Sequence, residues 1–257
     1  MDEITKTLPE FYHSMERIQW PEESIVRVQT NDGNQMVLHT PILKCRWQLF
    51  AEHPDEALEI IQNSSSEELR AILLYTYSDL PARRSLSPIF QKCQLNQPQS
   101  LQESTFVEDM RKLMHDSSTT DFKLITEDNC VVPVHRAILA VRSRYFRSMI
   151  ITNSLEVMNG EWKSPRPISL PTMQYFVEYM YTGQIMSPRT FDLIPLVWLV
   201  KYLRLSGEKE VENIIISALT RELNDETQEE MHEAAKHWGA KCVIDVIDKY
   251  VSTRKKL

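Results

Sequence analysis

His135-Arg136-Ala137-Ile138-Leu139-Ala140-Val141-Arg142-Ser143-Arg144-Tyr145-Phe146 is the stretch that decides the fold. A second stretch, beginning at His39, repeats its frame: Ile42, Leu43, Arg46 and Phe50 fall at the same offsets from His39 as Ile138, Leu139, Arg142 and Phe146 do from His135. Five matched positions in one fixed frame mark a structural unit present twice.

The similarity extends outward on both sides. Upstream of His39, Ile25, Val26 and Val28 lead through Asn31-Asp32-Gly33 to Met36, Val37 and Leu38. That pattern predicts a strand, a tight turn signalled by Asp-Gly, and a second strand. Upstream of His135, Phe122, Leu124 and Ile125 lead through Glu127-Asp128-Asn129 to Val131, Val132 and Val134. Downstream, each copy reaches an apolar helix that ends in aromatic residues. The first is Leu73, Leu74, Tyr75, Tyr77 and Ser78, and the second is Val177, Tyr179, Tyr181, Thr182 and Gly183. A helix also precedes each copy. Phe106, Met110, Leu113 and Met114 form one apolar stripe, and Leu8, Phe11, Tyr12 and Met15 form another, with Thr7 and Glu10 in capping-box relation. Residues 85–104, rich in Ser, Gln and Pro, read as a connecting loop. The remainder is helical, with stripes at Val211, Ile214, Ile215, Ala218 and Leu219, at Met231, Ala234, Ala235 and Trp238, and at Val243, Val246, Ile247 and Tyr250.

This order resembles the BTB (POZ) fold, and the second copy resembles it best. Asp121-Phe122-Lys123-Leu124 is similar to the family's opening strand. The stretch from His135 to Phe146 resembles its His-Arg-x-x-Leu-Ala-x-x-Ser-x-Tyr-Phe signature, and Tyr179-Met180-Tyr181-Thr182-Gly183 resembles the end of its third long helix. The first copy keeps His39, Ile42, Leu43, Arg46 and Tyr77 but has Cys45 and Trp47 where the family has small residues and Ser. Glu233-Ala234-Ala235-Lys236 through Gly239-Ala240 resembles the start of the BACK helices that follow many BTB domains. The resemblance implies an α+β fold of two tandem BTB/POZ units, each a helical cluster capped by a small sheet. The corresponding divisions are a diverged unit over residues 1–84, a connector over 85–104, a BTB/POZ domain over 105–220 and BACK-like helices over 221–257. His135 is expected to be a locally hydrogen-bonded structural group, and Asp121 and Arg142 a partly buried charge pair.

Composition narrows the function. Of 257 residues, 42% are hydrophobic and 25% charged, the balance of a globular chain. With only 5 glycines, phosphate-cradling loops have little to be built from. A net charge of −7 argues against a nucleic-acid surface, and the one basic cluster is Arg254, Lys255 and Lys256. Cys45, Cys93, Cys130 and Cys242 form no C-x-x-C pair, so neither a zinc site nor a redox motif is expected. His232 and His237 are five apart, about 140° around a helix at 3.6 residues per turn, and cannot share an ion as a His-Glu-x-x-His pair does. No signal peptide or membrane-length apolar run is visible, and the Asn63-Ser64-Ser65 sequon and the final Lys-Lys-Leu carry no weight. The expectation is a non-enzymatic cytoplasmic or nuclear protein with no metal, cofactor, nucleic-acid or membrane partner.

The resemblance supplies the partner surfaces. BTB modules associate with one another and present grooves to other proteins, so two readings follow: a substrate adaptor of a cullin-based ubiquitin ligase, or a scaffold with no ubiquitin role. For a cullin, the expected contacts are Ile150, Ile151, Leu155 and Glu156 in a loop over residues 150–160, with Tyr181 and Phe191. At Ser154-Leu155-Glu156, a serine stands where cullin-binding members carry an apolar residue two before the Glu. No kelch, MATH or zinc-finger module accompanies the repeat, which leaves the first copy as the surface for a substrate protein. Phe106, Met110, Leu113 and Met114 are the expected pairing helix. They would be buried either against the first copy or against a second chain.

Overall fold

The computed structural model describes residues 20–78, 87–95, 105–186 and 188–254. The stripe at Leu8, Phe11, Tyr12 and Met15 lies outside the described residues, as do Lys255 and Lys256.

The first half opens with a short 3₁₀ turn and an antiparallel hairpin, β1 (Ile25–Gln29) and β2 (Gln35–His39), in the register Ile25 to His39 and Gln29 to Gln35. Helices α1 (Thr40–Arg46), α2 (Gln48–Glu52), α3 (Pro54–Gln62), α4 (Ser66–Ser78) and α5 (Ser87–Lys92) follow. The second half begins with α6 (Phe106–His115) and the hairpin β3 (Phe122–Ile125) and β4 (Val131–Val134). It continues through α7 (Arg136–Arg142), α8 (Arg144–Ile151), α9 (Leu155–Asn159), β5 (Glu161–Lys163) and α10 (Leu170–Thr182). Four helices complete it: α11 (Thr190–Tyr202), α12 (Glu208–Glu222), α13 (Gln228–Trp238) and α14 (Lys241–Arg254). The fold is helix-rich α+β, with two small sheets among the described residues.

The two hairpins turn by the same chemistry. Thr30 donates from its backbone N–H to the Asn34 carbonyl and from its hydroxyl to Asp32, and Gly33 takes the left-handed conformation (φ 84°). Thr126 does the same with Cys130 and Asp128, and Asn129 adopts φ 60°, which Asn tolerates better than most residues. Ensuing helices also correspond. Trp47, which stands where the second half has Ser143, donates its indole N–H to the Cys93 carbonyl at 2.7 Å, as the Ser143 hydroxyl donates to the Leu203 carbonyl at 2.7 Å.

That contact corrects the reading of residues 85–104 as loop. Ser87–Lys92 is helical, and Ile89, Phe90, Cys93 and Leu95 are buried in the core beside Trp47 and Tyr75. The Ser and Gln around them hid a short apolar helix.

The halves differ between their middle helices. In the second, Gly160 (φ 71°) caps α9 and sends the chain into β5, which pairs in parallel with β3, Lys123 facing Glu161 and Ile125 facing Lys163. The ring of Trp162 in β5 is buried against Phe146 and Tyr145. In the first half α3 runs straight to the point where the Ser64 carbonyl accepts from Asn31 N–H, as the Ile168 carbonyl accepts from Glu127 N–H. His39 and His135 are 96 residues apart, whereas Tyr77 and Tyr181 are 104 apart. The first half is therefore eight residues shorter there, and it has no counterpart of β5 among the described residues.

Candidate interaction surfaces

Two surfaces follow from this arrangement, one between the halves and one facing outward. At the inner one, the Tyr181 hydroxyl bridges the backbone N–H (2.9 Å) and Nδ1 (2.6 Å) of His135, while Nε2 of His135 meets the Thr119 hydroxyl at 2.9 Å. Tyr77 bridges the N–H (3.1 Å) and Nδ1 (2.8 Å) of His39 in the same way. His135 is thus structural, as expected, but its partner lies 46 residues away rather than in the local turn. Burial pushes the His135 imidazole down to about 4 and that of His39 down to about 3, the latter helped by the charge of His135. The two rings line one small cavity, where Trp20, Ser24 and Pro41 of the first half meet Asp121 and Ala137 of the second.

Asp121 is not held by Arg142, contrary to the sequence expectation. Its carboxylate accepts from Arg136 N–H at 2.7 Å and from the Ser24 hydroxyl at 3.2 Å, and burial raises its pKa. The Arg142 guanidinium stands over the Tyr179 ring instead. The expected pairing helix, α6, packs against α1 of the first half and α10 of the second. Met110 and Leu113 are buried, and Phe106 and Met114 pack against the core from its margin. Arg46 in α1 reaches Asp109 in α6 at 2.5 Å, and the Cys45 thiol contacts the Asp109 carbonyl at 3.0 Å.

The outward surface sits on the second half. Among the described residues, the large apolar side chains that stand out in solvent all fall between Val131 and Tyr202. The most prominent are Leu155 (73% exposed) and Met158 (68%), three residues apart on α9 and hence on one face. Ile151 (43%) ends the preceding helix. Two expected contacts are corrected: Ile150 and Tyr181 are each 2% exposed, so both belong to the core. Residues 150–160 are the end of α8 and all of α9 rather than an open loop, and for this reason Ile150 turns inward. Phe191 starts α11, about 16 Å along the helix axis from Tyr202 at its end. Burial, a hydrogen bond with Tyr145 and the charges of Tyr145 and Glu156 raise the Tyr202 phenol.

Sequence reasoning missed Met158 and a run of aromatic rings in the same half. Tyr145 meets Tyr202 at 5.3 Å, Tyr202 stacks on Trp198 at 4.9 Å, and Trp198 meets Trp238 at 6.0 Å. Arg166 lies over both tryptophans, 5.3 Å from each ring. These cation–π contacts fasten α13 to the rest of the second half. Only the Trp198 and Tyr202 pair, four apart on one helix, was legible as a neighbourhood in the sequence.

Burial pushes the Cys45 thiol up to about 11 and Cys93 up to about 12, away from the thiolate form. No group of three or more His, Cys, Asp and Glu among the described residues is disposed around a metal position. No described helix is long and apolar enough to cross a membrane.

A hairpin, a helical hairpin opened by His135 and a parallel third strand define the class, and the family description "BTB/POZ domain" matches residues 110–218. The matched stretch begins within α6 and ends within α12. BTB/POZ domains are protein-interaction and dimerisation modules, in general without enzymatic activity. A curated mouse relative, BTB/POZ domain-containing protein 7, is 28% identical over 137 residues, which is 52% of this chain and 11% of the mouse protein. The chain thus aligns with about a tenth of that protein's length.

Proposed function

We propose that the chain is a non-enzymatic protein-interaction adaptor with two BTB-type units in tandem, the first diverged and eight residues shorter, followed by BACK-like helices from residue 221. The reading is supported by the shared hairpin and His–Tyr chemistry of the two halves. The observation that carries the function is the exposed apolar face of Ile151, Leu155 and Met158 on a BTB/POZ domain. Contiguous apolar side chains in solvent mark protein contact sites. The partner we assign to this face is the N-terminal region of a cullin, with Glu156 and Tyr202 at its edge. The first half then recruits a substrate protein, in the cytoplasm or nucleus. Ser154, in place of an apolar residue two before Glu156, favours a second reading, a scaffold with no ubiquitin role.

Titration of the purified chain with a cullin N-terminal region separates the two. The adaptor reading expects saturable binding at micromolar concentration. Absence of binding at tens of micromolar, roughly −6 kcal/mol or weaker, removes it and leaves the scaffold.

A further inference from the structure

We infer that the first half of the chain is the built-in partner of the BTB/POZ domain's pairing face, so that the molecule is a monomer with one outward binding face. This rests on reading α6 as a pairing helix, and not on the identity of the outward partner.

Equivalent positions from the two halves meet across the junction. Ile42 and Tyr77 face Ile138 and Tyr181, and His39 and Pro41 face His135 and Ala137. Contact of like with like is the mark of a twofold, isologous interface. Here it is drawn by one chain from two unlike copies. The fit is close. About 30 Å³ remains open to water among Ile42, Tyr77, Phe106, Met110, Ile138 and their neighbours, and about 10 Å³ beside the histidines.

Polar groups lock the same junction. The Arg46 side chain is 1% exposed and ion-pairs with Asp109, which also accepts from the Thr105 hydroxyl. Ser24 reaches Asp121 across the second contact. Truncating one partner of this pair while the halves stay together leaves the other charge buried and uncompensated, which is strongly destabilising. A second chain would have to displace a partner already tethered at high effective concentration. The result is asymmetric: a homodimer of one BTB/POZ domain presents its outer face twice, whereas this internal pair presents the apolar face of Leu155 and Met158 once.

Light scattering of the full chain tests this without any variant. The expected mass is that of one chain, 30.1 kDa, unchanged from low to high micromolar concentration. A mass of twice that value overturns the inference. A second measurement asks whether the halves touch. Arg46→Met and Asp109→Asn should each lower the melting temperature, and the double variant should lose less than the sum of the two losses. Strictly additive losses overturn the contact. Neither experiment contains a cullin, so both can succeed while the adaptor reading fails, and the reverse.

Discussion

In each half a histidine at the end of a hairpin is clasped by a tyrosine hydroxyl from the helix that closes the unit. In each, the residue after the following helix ties down a distant carbonyl, by indole in one and hydroxyl in the other. Beyond this shared frame the halves part. The second uses eight more residues between Phe146 and Tyr181 than the first uses between Phe50 and Tyr77. That interval holds the capping Gly160, the strand with Trp162, and the exposed Leu155 and Met158. The first half replaces it with α3, whose Ala57 and Ile61 turn inward while Asp55, Glu56 and Glu59 cover its outer side. The clasped histidine and the tied carbonyl recur in both halves, and the exposed apolar face does not.

The comparison predicts a graded series. The largest effect belongs to the element with no counterpart. Trp162→Ala leaves a void beside Phe146 and Tyr145 and should cost about 3–5 kcal/mol in urea unfolding. A loss under about 1 kcal/mol would mean that β5 is an ornament on the domain. Next come the paired hydroxyls. Tyr77→Phe and Tyr181→Phe each strip two contacts from a buried histidine, and each should cost about 1–3 kcal/mol. Losses that differ severalfold between the two would break the equivalence of the halves.

Acid sharpens the same point. Both histidines are neutral in the folded chain down to about pH 4 and about pH 3, against an ordinary value of 6.5. Above pH 6.5 neither state binds the proton and nothing is lost. As the pH falls below 6.5, the unfolded chain takes up protons that the folded chain refuses, so stability declines by about 1.4 kcal/mol per pH unit for each ring. Asp116, whose charge favours the protonated form of His135, moderates this without reversing it. His39→Asn and His135→Asn should each flatten the decline in unfolding free energy between pH 6.5 and pH 4. An unaltered slope in both variants would mean that neither ring is held neutral.

Much of this was readable from sequence. The fixed frame from His39 and His135 located hairpins and helices because period-2 and helical apolar patterns sit on either side of it. Of the stripe at Phe106, Met110, Leu113 and Met114, the middle two are buried and the outer two partly so, as one apolar helix face requires. The outward surface was legible only in part, because exposure depends on how α8 and α9 meet. Ile150 and Ile151 are adjacent, yet a helix turns one inward and the other out. Arg136 rather than Arg142 reached Asp121 for a like reason, since a strand end and a helix start became neighbours across the hairpin. The α5 helix escaped notice because two buried residues, Ile89 and Phe90, sit among polar ones.

The smallest expected change in stability accompanies the most direct test. Leu155→Asp lies on the exposed face of α9 and should alter folding by less than about 0.5 kcal/mol, with an unchanged circular dichroism spectrum. An apolar anchor at the centre of a contact commonly contributes more than about 1 kcal/mol, and a charge placed there costs more. Titrated against a cullin N-terminal region, Leu155→Asp should therefore bind at least about tenfold more weakly than the unaltered chain. Ala51→Asp, an exposed change in the first half, should bind as the unaltered chain does. If the two substitutions weaken binding equally, or Ala51→Asp weakens it more, the outward face of the second half is not the partner surface.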